Sequence, residues 1–89
     1  MTFEKWIDVF VAEKGLDTEM VFEVEGDAGM NWVPLGAVVE FVKTLDAATK
    51  AKIKARIVEI DFVNGDVLDF FKFLAKGMAM MVGIAKEAA

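Results

Sequence analysis

Residues 66–89, DVLDFFKFLAKGMAMMVGIAKEAA, read as one long helix with more apolar surface than a helix at the edge of a small domain needs. At 100° per residue its large apolar side chains spread over roughly two-thirds of the circumference, against about one-third for an ordinary amphipathic helix. One side, through Val67, Phe70, Phe71, Leu74, Met78 and Met81, is expected to face the core. A second stripe, Phe73, Met80 and Ile84, lies away from it and is expected to be covered by the rest of the chain or by self-association. Only Asp69, Lys72 and Lys76 mark a wet side in its first half. The longest uncharged apolar run, residues 77–85, is about half of the ~20 residues a bilayer requires, so no spanning helix is expected.

Upstream, the pattern resolves into three further helices and a ribbon. Thr2 can cap a helix over residues 2–14, where Phe3, Trp6, Ile7 and Phe10 recur on one face and Lys14-Gly15 supplies the ending. Pro34 suits the first turn of a helix over residues 34–45, with Leu35, Val38, Val39, Val42 and Leu45 as its apolar positions. Asp46 can cap a third helix over residues 46–62, whose ridge is Ile53, Ile57 and Ile60. Asp66 is the candidate cap of the last helix, over residues 66–86.

Between the first two helices, Val21, Glu23 and Glu25 alternate with Phe22 and Val24, and the glycine-bearing GDAG is followed by Met30 to Val33. This predicts a short β-hairpin at about 20–33, the competing assignment being a helix capped by Asp17 with a glycine loop. Asn64-Gly65 is also a hairpin signal, but Leu68, Phe70, Phe71 and Phe73 fit period 3.6 better than period two, so a helix, a turn and a new helix are expected there. The fold class expected is mainly α with a minor β element: a compact single-domain bundle of four helices carrying one hairpin.

Composition restricts function. Of the 89 residues 56% are apolar, with seven glycines besides, against roughly 45–50% for both together in typical soluble domains; self-association as a homodimer is the expected cover for the surplus. There is no histidine, cysteine, serine, tyrosine or glutamine. Triad-type acyl transfer and thiolate or imidazole metal sites therefore fall away, leaving carboxylate, lysine, threonine and asparagine chemistry. Asp61, Asp66 and Asp69 around Asn64-Gly65 lack the ligand series and terminal glutamate of a calcium loop. Glu23, Glu25 and Asp27 could chelate magnesium, but their spacing does not require it, and they would repel a phosphate from Gly26 and Gly29, whose presence turn geometry explains. No catalytic residue, cofactor or metal is expected.

Charge is unevenly distributed. Residues 1–27 hold eight acids against two lysines, a local −6, whereas residues 43–56 hold five bases against Asp46, a local +4, within a chain of net charge −5. The basic segment lacks interleaved aromatics, so direct nucleic-acid binding is not expected. The two patches could be solvated faces or could dock on one another or on a partner. Trp32 and Met30 beside Glu19, Glu23, Glu25 and Asp27 are the candidate protein-binding residues, tryptophan as a rigid anchor and methionine as an adaptable one. The alternative is that both pack beneath the hairpin. The acidic opening MTFEKWIDVF lacks the basic segment and unbroken apolar run of a secretory leader, so a cytoplasmic location is expected.

The combination of FEVEG before a glycine loop, a helix started by proline, and IDFVNGD leading into an aromatic helix resembles small acidic accessory proteins of phages, prophages and mobile elements. The resemblance carries over no catalytic residue. It implies a non-catalytic module that inhibits or modulates a host protein complex by binding it. The alternative expectation is an assembly subunit that self-associates through its last helix.

Overall fold

A computed structural model describes residues 1–26, 29–63 and 65–88, with side chains through Met80. Among these residues the order is helix α1 (Phe3–Glu13), strands β1 (Val21–Gly26) and β2 (Gly29–Pro34), then helices α2 (Leu35–Val42), α3 (Ala47–Val63) and α4 (Leu68–Ala88). The strands form one antiparallel hairpin, in register from Val21 opposite Pro34 to Gly26 opposite Gly29. The chain is thus mainly helical with one ribbon, and the helix-plus-loop alternative for that segment falls away.

Local chemistry sets most boundaries. The Lys5 amide donates to Thr2 Oγ1 at 3.1 Å, and the Thr49 amide donates to Asp46 Oδ1 at 2.7 Å, so both expected caps satisfy an otherwise orphaned donor. At the end of α1, Gly15 takes a φ of +65°. Its amide donates to the Ala12 carbonyl at 3.1 Å and the Leu16 amide to the Val11 carbonyl at 3.1 Å, the paired bonds of a Schellman ending. Gly65, at φ +72°, closes α3 in the same conformation, its amide donating to the Ile60 carbonyl at 3.0 Å.

Three expectations shift. Pro34 is not the first helical residue but the last of β2 and the N-cap of α2, with extended ψ of 146°. The first amides of α2 are capped instead by the loop before β1, Leu35 donating to the Met20 carbonyl at 2.7 Å and Gly36 to the Thr18 carbonyl at 2.9 Å. Helix α2 stops at Val42, because Thr44 turns back on the Phe41 carbonyl through both its amide and its hydroxyl. Helix α4 starts at Leu68, two residues later than expected, with the Phe71 amide donating to the Val67 carbonyl at 3.1 Å.

The core is continuous from Ile7, Phe10 and Val11 of α1, through Phe22, Val24 and Val33 of the ribbon and Leu35, Val38, Val39 and Val42 of α2, to α3 and α4. Helix α3 contributes only Ile53 and Ile57 as buried residues, with Ile60 half-buried. The buried line of α4 is Val67, Phe71, Ala75 and Ala79, while Phe70, Leu74 and Met78, expected in the core, are half-buried. Met81 lies outside the side chains described. Alanines on this line have a cause: α4 packs chiefly on β1, and a Cβ at Gly26 would stand 3.2 Å from both the Cβ and the carbonyl oxygen of Ala79. Close approach of Asn31 and of helix α4, rather than a left-handed backbone, thus explains Gly26; of the two ribbon glycines it is Gly29, at φ +106°, that needs glycine for its backbone. Helix α4 also meets α2, and α1 meets α3.

Candidate functional site

The pleat divides the ribbon cleanly. Phe22, Val24 and Val33 point into the core, and Val21, Glu23, Glu25, Met30, Trp32 and Pro34 are exposed on the outer face. The register sets Glu23 directly opposite Trp32 and Glu25 opposite Met30, pairs whose Cβ atoms lie about 5 Å apart in such ladders. Trp32 is 65% exposed and Met30 53%, so neither packs beneath the ribbon. Leaving most of an indole in water forgoes on the order of 3 kcal/mol of burial at ~25 cal/mol per Å². Four of the six expected binding residues therefore share one face. Glu19 is exposed in the turn ahead of β1, and Asp27 lies outside the described residues.

Electrostatics sort the acids into two groups. Two of the three acids of α1 are paired within the fold: Glu4 accepts from Lys50, and Asp8 lies 2.8 Å from Lys43, whose ammonium is shared with Glu40 at 2.7 Å. In return, Lys14 at the end of α1 meets Asp61 of α3 at 2.8 Å. The opposite patches seen in the sequence thus meet within the chain at two pairs, Glu4 with Lys50 and Asp8 with Lys43. Among the described residues no salt bridge reaches Glu19, Glu23 or Glu25. Lys72 and Lys76 of α4 border the same 370 Å³ groove as Glu23 and Glu25 without closing an ion pair, and Phe73 lies between them.

The hydrogen bond from Lys50 holds the Glu4 carboxyl below its ordinary range, and bonds from Thr49 do the same for Asp46. Bonds to Asp8 and Glu40 hold the Lys43 ammonium above its ordinary range. The depressed carboxylates contribute stability that is whole above their ordinary values of 4.5 and 3.8 and is lost as pH falls through the lowered ones. The Lys43 contribution is whole below 10.5 and lost as pH rises through the raised value. Thermal melts are accordingly expected to show a declining midpoint below about pH 4.5, and a Glu4→Gln, Asp46→Asn variant a shallower decline over the same interval. Identical acid slopes in the two proteins would remove this account of the pairs.

Other sequence candidates are dispersed. Asp61 is engaged by Lys14 and Asp69 borders the groove beside β1, and among the described residues no three acids converge in a way that could hold a metal ion. Asn64 lies outside the described residues. The aromatic stripe of α1 is only partly core: Ile7 and Phe10 are buried, but Trp6 is half-buried, stacked on Phe10 at 5.5 Å between ring centroids and covered by the Lys54 ammonium at 5.4 Å. On α4, Phe73 is 68% exposed and Met80 41%, and both line an apolar groove of about 500 Å³ with Phe41, Leu45 and Leu74. The third member of that stripe, Ile84, lies outside the side chains described.

One surface was not anticipated. Val58, Phe62 and Val63 of α3 are exposed, Phe62 by 90%. The ridge Ile53, Ile57 and Ile60 lies on the opposite side of the helix. The signal that reveals the outer stripe is the spacing of Val58 and Phe62 with Ala51 and Ala55. Among the described residues no helix is long and apolar enough to cross a membrane. Compared with known proteins, the chain matches no family model, no curated protein and no solved structure.

Proposed function

We propose that the protein is a non-catalytic binding module whose outer ribbon face, Glu23, Glu25, Met30 and Trp32 with Glu19 at its margin, takes a basic segment of another protein. The observation that carries this reading is the register, which places two carboxylates that no salt bridge among the described residues reaches directly beside an exposed indole and an exposed thioether. Indole faces attract lysine and arginine, and adjacent carboxylates fix and neutralise them, so the four residues suit one basic ligand. The four helices act as one bundle behind the ribbon and hold it rigid, which lowers the ordering cost of binding. Lacking histidine, serine and cysteine, the chain works by occupying a surface rather than by chemistry. The resemblance to accessory proteins of phages and mobile elements extends the reading to inhibition or modulation of a host complex in the cytoplasm.

A labelled peptide of alternating arginine and valine tests this by fluorescence anisotropy. Trp32→Ala is expected to weaken binding at least tenfold, as hot-spot truncation does, with the thermal midpoint unchanged. Glu23→Lys with Glu25→Lys is expected to abolish binding and its salt dependence together. Equal affinity of these variants and the parent protein refutes the proposal.

A second reading, an assembly subunit that associates through α4, draws on the exposed Phe73 and Met80 beside their apolar groove. Loss of self-association in Phe73→Lys supports it.

A further inference from the structure

The outer face of α3 has the spacing of a coiled-coil seam. Ala51, Ala55, Val58 and Phe62 are separated by four, three and four residues, all exposed, on the side of the helix away from the buried Ile53 and Ile57. They line an open groove of about 590 Å³ together with Lys54 and Glu59. A 4-3-4 apolar spacing keeps one stripe in line along a helix and directs it at a partner helix.

The stripe is complementary to itself when reversed. With a two-fold axis at its midpoint, between Arg56 and Ile57 in sequence, Phe62 lies over the second copy's Ala51, and Val58 over the second copy's Ala55. Each large side chain then meets a small one, which is how packed layers interdigitate. The flanks agree with this arrangement. In an antiparallel pair, equivalent flanking positions of the two helices face each other, bringing Lys52 to the second copy's Glu59 and Lys54 to its Asp61. Both contacts join opposite charges and each occurs twice under the two-fold. Within the protomer Lys54 lies over Trp6 and Asp61 is engaged by Lys14, so the selective pair is Lys52 with Glu59. Among the described residues no salt bridge reaches Lys52, and Glu59 is met only by Arg56 of its own helix, at 3.2 Å.

We infer that α3 is an isologous dimer interface and that its occupant is a second copy of this chain, docked antiparallel through Ala51, Ala55, Val58 and Phe62. A closed two-fold contact uses the same patch on both subunits, and this patch meets that condition in size and in charge. The ribbon is a separate surface, so a ribbon ligand and a second copy bind independently. Four residues a side make a small interface, and dimerisation is therefore weak and concentration-dependent.

Sedimentation velocity of the full chain from about 10 to 500 µM tests the inference, since mass action populates a weak dimer only at the upper end. The parent protein is expected to pass from monomer to dimer across that range. Phe62→Lys, which removes a side chain that touches little in the protomer, is expected to raise the dissociation constant at least tenfold. Lys52→Glu alone and Glu59→Lys alone are each expected to weaken the dimer about two- to tenfold, and the double exchange to restore it, a rescue that a folding defect would not give. Phe73→Lys and Trp32→Ala are expected to leave the equilibrium unchanged. A parent protein that stays monomeric throughout overturns the inference. So does a dimer indifferent to Phe62→Lys, or one that depends on Phe73 instead, which would place the interface on α4. Failure of the ribbon to bind a basic peptide touches none of these outcomes.

Discussion

Phe71→Ala is expected to lower the unfolding free energy by about 3–5 kcal/mol, a large part of the roughly 5–15 kcal/mol that stabilises a domain of ordinary size. Phe71 is wholly buried and, among the described residues, is the largest of the fully buried side chains. It lies on the Val67, Phe71, Ala75, Ala79 line with which α4 faces the core, where the ribbon and α2 are its neighbours. Truncation there loses transfer free energy and leaves a cavity that the neighbouring alanines are too short to fill. Phe73, two residues along and 68% exposed, is the internal control, with an expected change within about 0.5 kcal/mol. Urea unfolding measures both, and an unchanged slope with a shifted midpoint identifies the loss as stability. Equal costs at the two positions would mean that the buried line of α4 is wrongly placed.

Ile57→Ala is expected to cost about 2–5 kcal/mol, less the few tenths that alanine returns in helix propensity. The reason is geometric. Helix α3 is 17 residues long, yet among the described residues only Ile53 and Ile57 are buried in it, and Ile57 is completely so. Its other ties are the half-buried Ile60, the Lys54 ammonium over Trp6, and the ion pairs of Lys50 with Glu4 and Asp61 with Lys14, which are exposed or half-buried and worth little individually. Removing Ile57 takes away half of the buried anchorage, so α3 should open before the rest of the molecule. Native-state hydrogen exchange reads this directly: amides of α3 are expected to lose protection in Ile57→Ala while those of α2 keep it. Val58→Ala, one residue on and half exposed, is expected to leave the pattern nearly unchanged at low protein concentration. Uniform loss of protection through all four helices would show that α3 is not separately anchored.

Features written in local patterns were legible from the chain alone. The caps at Thr2 and Asp46, the left-handed glycine after α1, the valine periodicity of α2 and the alternation of β1 each depend on a few neighbouring residues, and each stands where expected. Pairing between elements was less legible. Helix α4 rests on β1 because Gly26, Ala75 and Ala79 are small enough to let strand and helix approach, and small residues carry almost no periodic signal. The same blindness hid the outer stripe of α3, half of which is alanine.

For the ribbon, alternation showed that Glu23 and Glu25 share a face, but the register was needed to bring Met30 and Trp32 onto it. Which acids remain free could not be read from composition either. Glu4 and Asp8 look like Glu23 and Glu25 in the sequence, and only the packing of α1 beside Lys43 and Lys50 separates the neutralised pair from the exposed one.

The outer ribbon face as a site for a basic segment is tested most directly by nitrogen-15 chemical-shift mapping during titration with an arginine-rich peptide. The expected result is saturable movement of the Trp32 indole N–H and of the backbone amides of Glu23, Glu25 and Met30, diminished by added salt, with the Trp6 indole and the amides of α3 unmoved. Shifts confined to α3 or α4, or none as the peptide concentration rises, would contradict it.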